Sequence, residues 1–336
     1  MRLHLYALIV SAAAAAQPAP DRRPVLDMHL HALPADEVGP PPVAMCVPML
    51  AWAPERAPDQ SWLDAFGAFV TDPPCPAPFW SNARTDREVL EGTLEVMERR
   101  NIIGVLSGPP RDVLWWHEAA PDRFIPSAQL QFGRDAYAPD SLRALFVDGP
   151  FEVLGEVSNQ YVGVAPNDPQ MDPYWAFMAE HDLPVAIHLG EGPFLATVLY
   201  PGYRPSLSSP YLLEDVLHRH PTLRISVMHY GSPLVDEMIA MMGAYPQLYV
   251  DLGGIQWFYA RAYFYEQLRQ FVDAGLARRV MFGSDHVIWP GLLEESIDIV
   301  EDAPFLSDEQ KRDILYHNAA RFLRLSDETI ARHHAM

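Results

Sequence analysis

Short apolar runs alternate with amphipathic stretches along most of this chain. The runs fall at residues 25–29, 102–106, 124–130, 151–157, 184–189, 224–229, 247–252 and 279–282. Their continuous apolar character suits parallel strands buried on both faces. Helical patterns fill the gaps. Residues 85–100 carry a Thr cap, early acids and late arginines, as the helix dipole prefers. Further helices are predicted at 172–181, 209–219, 233–244, 263–274 and 294–301. A last helix begins at the capping box Ser307-Asp308-Glu309-Gln310 and runs to Leu323. Eight strand–helix repeats predict an α/β fold of the (β/α)8 TIM-barrel type rather than an open sheet. The sequence has no internal repeat and no nucleotide-binding glycine motif.

One segment breaks the rhythm. Residues 34–82 hold Pro40-Pro41-Pro42, Pro73-Pro74, Trp52, Trp62 and Trp80. They read as a long insertion after the first strand, placed over the barrel mouth to shape substrate access. A structural wrap over hydrophobic surface fits the same composition. The only two cysteines, Cys46 and Cys75, lie inside this segment. A bridge would staple it in an oxidising compartment, and two free thiols fit as well. The expected organisation is a signal peptide over 1–16, a Pro-rich lead-in over 17–24, the barrel over 25–325 and a tail over 326–336.

The chain's 336 residues accommodate one barrel of roughly 250 residues plus insertions. An apolar fraction of 49% supports a large core. The formal charge of −20 argues against a nucleic-acid surface, since phosphates are repelled. Arg2, the apolar stretch 3–10 and Ala14-Ala15-Ala16 before Gln17 read as an export signal with a small-x-small cleavage site, the alternative being an N-terminal helix that stays attached. The expected location is periplasmic or secreted, with no membrane attachment after cleavage. The expected partner is a small-molecule substrate, and a homo-oligomer is compatible with the sequence.

The chemistry collects at strand ends. His29 and His31 close the first run, and residues two apart on a strand share a face. Glu156 ends the fourth run, His188 the fifth and His229 the sixth, while Asp285 follows the eighth in Phe282-Gly283-Ser284-Asp285. In a barrel these C-terminal ends converge on one pocket. Six metal-capable groups in that position predict a metal site. Imidazoles with carboxylate suit Zn²⁺ first, with Mn²⁺ or Fe²⁺ also accommodated. A divalent ion brings the pKa of a bound water to roughly 7.

These motifs, with Asn318-Ala319-Ala320-Arg321-Phe322 near the end, resemble the amidohydrolase superfamily and its amidohydrolase-related (amidohydrolase 2) branch over residues 25–325. The resemblance implies a distorted barrel with metal on His29, His31, His188 and Asp285. It implies that His229 either binds a second metal or contacts substrate. Two departures matter. Many two-metal members carry a carboxylated lysine at the end of strand four. Here Glu156 stands there, and Lys311 is the only lysine in the chain. A bridging glutamate resembles the TatD-like DNase arrangement, whereas a Glu156 that only orients a ligand leaves one ion; one ion is the favoured reading. Some aromatic-acid decarboxylases of the branch have Glu-x-His on strand one. His-x-His fits the hydrolases and other decarboxylases alike.

The expected activity is metal-dependent hydrolysis of an amide, ester or lactone, with Asp285 moving the proton and His229 stabilising the oxyanion or orienting substrate. The alternatives are a nonhydrolytic carboxy-lyase on the same barrel and an exported metal-binding protein without catalysis. Asp251, at the end of strand seven, either orients a ligand histidine or caps a turn. His286 and Trp289 have no fixed role, and Glu191-Gly192 either shapes the fifth loop or only turns it. His181, His218, His220, His333 and His334 are expected on the surface. Tyr259, Tyr263, Phe264 and Tyr265 are expected in helix packing.

Overall fold

A computed structural model describes residues 23–134 and 136–336. The predicted signal peptide lies outside the described residues, as does the lead-in up to residue 22.

Eight parallel strands follow one another around the sheet: β1 (Val25–His31), β2 (Ile102–Gly108), β3 (Phe124–Leu130), β4 (Val153–Val157), β5 (Val185–His188), β6 (Ile225–Met228), β7 (Leu248–Asp251) and β8 (Val280–Met281). Each predicted apolar run overlaps one of them. The ends of the sheet meet where Met28 N donates to Phe282 O and Asp285 N donates to His29 O, both at 2.9 Å. The result is a nearly closed TIM barrel with helices between the strands.

The distortion is local. Along β1 the register against β2 shifts between Asp27 and Leu30. Strict alternation would put Leu26, Met28 and Leu30 on one face. Instead Leu26 and Met28 join an apolar layer to which all eight strands contribute, while Leu30 joins the larger core beneath the helices. The irregularity lets the strand supply that layer and then turn His29 and His31 towards the site. A second shift, between Leu154 and Val157 on β4, surrounds Glu156.

The helices are fixed by their ends. Thr85 accepts from Glu88 N and Glu88 reaches back to Thr85 N, so helix Asp86–Arg100 starts with a full capping box. The predicted Ser307 box is present too, and its helix continues through a π-helical stretch, Asp313–His317, to Leu323. Asn318 Nδ2 donates to Ala277 O at 2.8 Å and Val280 O at 2.6 Å, tying that segment to the start of β8. Tyr316, Ala319, Ala320 and Phe322 pack onto the apolar layer.

The insertion contains a two-stranded ribbon, Val43–Met45 with Phe79–Ser81, and a helix, Trp62–Thr71, capped by Ser61. Cys46 and Cys75 are bonded, with Cα atoms 5.8 Å apart. Past residue 325 a further helix, Asp327–Ala335, packs back on the body. This corrects one surface assignment: His333 is buried, with Nδ1 3.0 Å from Tyr316 Oη and its carbonyl accepting from Asn101 Nδ2 at 3.2 Å. One helix face turned inward buries it, and its neighbour His334 stays exposed. Among the described residues no helix is long and apolar enough to cross a membrane.

Candidate active site

All six predicted groups meet above the apolar layer. His31 Nε2 lies 3.2 Å from Asp285 Oδ1 and 3.6 Å from Glu156 Oε2. His29 Nε2 lies 3.7 Å from the same Asp285 oxygen. His188 Nδ1 is 2.6 Å from Glu156 Oε1 and 2.9 Å from His229 Nε2. Two triads are compact, with donor atoms within 4.8 Å of one another: His29 with His31 and Asp285, and His29 with Glu156 and His229. His29 belongs to both. His188 belongs to neither; it stands beside the second triad, in contact with two of its members.

The backbone is bent to make this possible. His229 and Asp285 have φ values of 57° and 50°, in the left-handed region that non-glycine residues enter rarely. Such conformations concentrate where function over-determines them. Gly254 faces Asp285: a Cβ there would sit 2.8 Å from Asp285 Oδ2, and its own φ is +75°. Only glycine satisfies both conditions.

A second layer holds the imidazoles. Asp251 Oδ1 accepts from Gly253 N at 2.9 Å and His229 N at 3.2 Å, and lies 3.4 Å from His29 Nδ1. It therefore both caps the turn and faces a site histidine. His229 Nδ1 is 2.7 Å from Gly253 O, a carbonyl that only accepts, so Nδ1 carries the proton and Nε2 keeps its lone pair. His29 likewise turns Nδ1 towards Asp251, and its buried Nε2 has no hydrogen-bond partner. Orientation by a second partner is characteristic of metal-ligating histidines.

The electrostatics follow from crowding. Burial alone would lower His29, but Asp285, Asp251 and Glu156 around it raise it to about 10. Burial would raise Asp285, yet His29 and the bond from His31 bring it down to about 2. Glu156 is opposed by burial in the same way and is held well below the usual carboxylate range by His188, His31 and His29. Burial, together with His188 and His29, lowers His229 to about 4. Among the described residues no Arg or Lys pairs with Glu156, Asp251 or Asp285; their ion-pair partners are histidines. Buried carboxylates without a fixed cation are costly unless a positive charge joins them. With the orphaned Nε2 of His29, this donor set fits a divalent cation.

Sequence reasoning missed several supporting residues. Asp27 Oδ1 accepts from His29 N and Ser284 N, both at 2.9 Å, joining β1 to the loop that carries Asp285. Gln160 Nε2 donates to His188 O at 2.7 Å, and Tyr161 Oη lies 3.2 Å from His188 Nε2. Asp27, on the strand just before His29, was the one with a visible signal: an acid inside an apolar run needs partners. Trp289 and Glu191 line the site cavity. His286 does not; it turns to Thr93 Oγ1, 3.2 Å away on helix Asp86–Arg100. In the aromatic cluster Phe264 is buried, and Tyr265 Oη donates to Ile299 O at 2.7 Å, as packing requires. The cavity itself measures about 470 Å³, and insertion residues Met49, Leu63 and Phe66 line it together with His31, His188 and Asp285.

Known proteins share this frame. A TIM-barrel protein from Bordetella bronchiseptica superposes with a TM-score of 0.58 at 20% identity, covering 92% of this chain and 100% of that one. A protein from Acinetobacter baumannii, described as a probable 2-pyrone-4,6-dicarboxylic acid hydrolase and solved with citric acid, gives 0.57 at 14% identity over 90% and 99%. A dihydroxybenzoic acid decarboxylase from a Polaromonas species, solved with manganese and the inhibitor 2-nitroresorcinol, gives 0.52 at 14% identity over 91% and 98%. At these identities the likeness shows the fold. No curated protein matches the sequence. The amidohydrolase family profile matches residues 26–325. Proteins described as hydrolases and as decarboxylases are thus both among this chain's structural neighbours, and the chain belongs to the amidohydrolase family, which is metal-dependent.

Proposed function

We propose that this protein is a metal-dependent hydrolase acting on the carbonyl of an amide, ester or lactone. The observation that carries the reading is the placement of Asp285. Its Oδ1 faces the His29 and His31 Nε2 atoms, and its side chain is the most exposed of those three, at 15%. One carboxylate thus reaches the ligand cluster and the substrate cavity together.

His29, His31 and Asp285 would hold the ion, with His188 completing the set. A catalytic zinc takes three or four such donors and keeps one position open; Mn²⁺ and Fe²⁺ accept the same donors. One ion is favoured because His29 serves both compact triads and has a single lone pair to give. When bound, the ion supplies Lewis acidity and an acidified water. Asp285, held as a carboxylate beside the cluster, would be the base that takes a proton from the attacking water and returns it to the leaving group. His229, neutral and directed by Gly253 O, meets the carbonyl side of the substrate. Glu156 orients His188 through their 2.6 Å contact. Export is part of the same proposal, on the strength of residues 1–16; a mature N-terminus near Gln17 supports it, and Met1 on protein from the native host contradicts it.

The test is turnover of a panel of esters, lactones, amides and aromatic acids in oxygen-18 water. Label in a carboxylate product is the expected result. Release of CO2 from an aromatic acid, with no label in the organic product, would replace the hydrolase by a carboxy-lyase.

A further inference from the structure

The cavity extends well past the ligand cluster, and its lining is one-sided in charge. Four carboxylates line it, Glu37, Glu156, Glu191 and Asp285, and among the described lining residues none is Arg or Lys. Three of the four have counter-charges. Glu156 and Asp285 face histidines and the proposed ion. Glu37 at the rim is paired with Arg134 at 3.2 Å. Glu191 is different. Ser232 Oγ donates to its Oε1 at 3.2 Å, Tyr259 is a second hydroxyl neighbour, and no cationic side chain among the described residues pairs with it.

Beyond the histidines, the remaining walls are largely apolar, with Tyr161 and Tyr200 among them. Leu63 and Phe66 come from helix Trp62–Thr71, and Trp257 and Trp289 come from segments that follow β7 and β8. Phe194, in the loop after β5, lies 6.5 Å from both Trp62 and Phe66, so two separate loops close an aromatic roof. A volume of about 470 Å³ is ample for a ring-sized group beyond the reacting carbonyl.

We propose that the substrate is an uncharged ester, lactone or amide bearing an apolar group, and that this cavity rejects a carboxylate placed away from the reacting carbonyl. The inference rests on the hydrolase reading for the reacting bond and on the lining for the rest. A carboxylate moved into this space loses water and meets no Arg or Lys among the described lining residues to offset that loss. It also meets Glu191: two like charges roughly 6 Å apart at an effective dielectric near 20 cost about a hundredfold in binding.

The experiment measures binding apart from turnover. The probes are the methyl ketone 5-phenylpentan-2-one, which cannot be hydrolysed, and its para-carboxylate analogue, which differ only at the end remote from the carbonyl. Calorimetry on the metal-loaded enzyme should find the neutral probe bound at least about tenfold more tightly. Leu63→Arg, on an exposed helix position, should bring the two within about threefold, and Glu191→Gln should narrow the gap part of the way. An anionic probe that binds as tightly as the neutral one overturns the proposal, as does a neutral probe that fails to bind at about 1 mM. Neutral preference without hydrolysis of any uncharged ester, lactone or amide leaves the cavity assignment standing and sinks the hydrolase reading instead.

Discussion

Within one barrel, the same strands build two layers by different means. The lower layer, with Leu26, Met28, Ile103, Val153 and Met228, is apolar and closed by Tyr316 and Phe322. The upper layer, with His29, His31, Glu156, His188, His229 and Asp285, is polar and depends on directed contacts from Asp251, Asp27 and Gly253. Packing in the lower layer tolerates any well-fitting apolar side chain. In the proposed metal site each imidazole must present one particular nitrogen, which makes geometry in the upper layer the stricter requirement. Stability and chemistry are thus separable by height along a strand, and β1 passes from one to the other across a single shift of register.

Changes in the upper layer should remove activity and spare the fold. The largest effect belongs to Asp285→Asn. It keeps size and one ligand oxygen but removes the base, so kcat should fall by roughly 10²- to 10⁴-fold while melting temperature stays near wild type. A wild-type rate would break the proposed role. Met28→Ala tests the lower layer. Deleting this fully buried side chain should cost about 2–5 kcal/mol in denaturant unfolding, with kcat per folded molecule unchanged. Equal loss of turnover would show that the two layers are not separable.

Asp251→Asn probes the support between them. Metal affinity, measured by competition with a chelator, should weaken by roughly 10- to 100-fold, the usual worth of a partner that orients a ligand. The smallest effect concerns His333, outside both layers. Burial, with Arg332 and His334 nearby, lowers it from its ordinary 6.5 to about 4. The unfolded chain therefore takes up the proton first on acidification, and stability is lost as pH falls through that window. Between about pH 7 and about pH 5 the loss should be on the order of 1 kcal/mol, and His333→Gln should remove that part of the pH dependence in a thermal melt.

Much of this was legible in the sequence because strands buried on both faces leave unbroken apolar runs, and because a polar residue ending such a run stands out. His188 after Val185-Ala186-Ile187 and His229 after Val227-Met228 are of that kind. What was not legible depends on contacts between distant segments. The register shift at Asp27–Leu30 has no local signature. Tyr161 and Gln160 reach His188 from a loop 27 and 28 residues away in sequence. Helix Trp62–Thr71 was hidden in a proline-rich insertion, although Ser61 and Asp64 form an ordinary cap. His333 looked like a tail residue because nothing in a short terminal helix says which face will be covered.

In the proposed mechanism one divalent ion, held through His29, makes this barrel an enzyme. His29 is the test residue because it belongs to both compact triads, whichever of them the ion occupies. Metal content and kcat should be measured on the same preparations of wild type, chelator-treated wild type and His29→Ala, with circular dichroism to confirm folding. About one equivalent of metal is expected in the wild type, with loss of turnover on chelation, recovery on adding metal back, and a folded His29→Ala variant depleted in both. A metal-free wild type at full rate, or a His29→Ala variant that keeps its metal and its turnover, would contradict it.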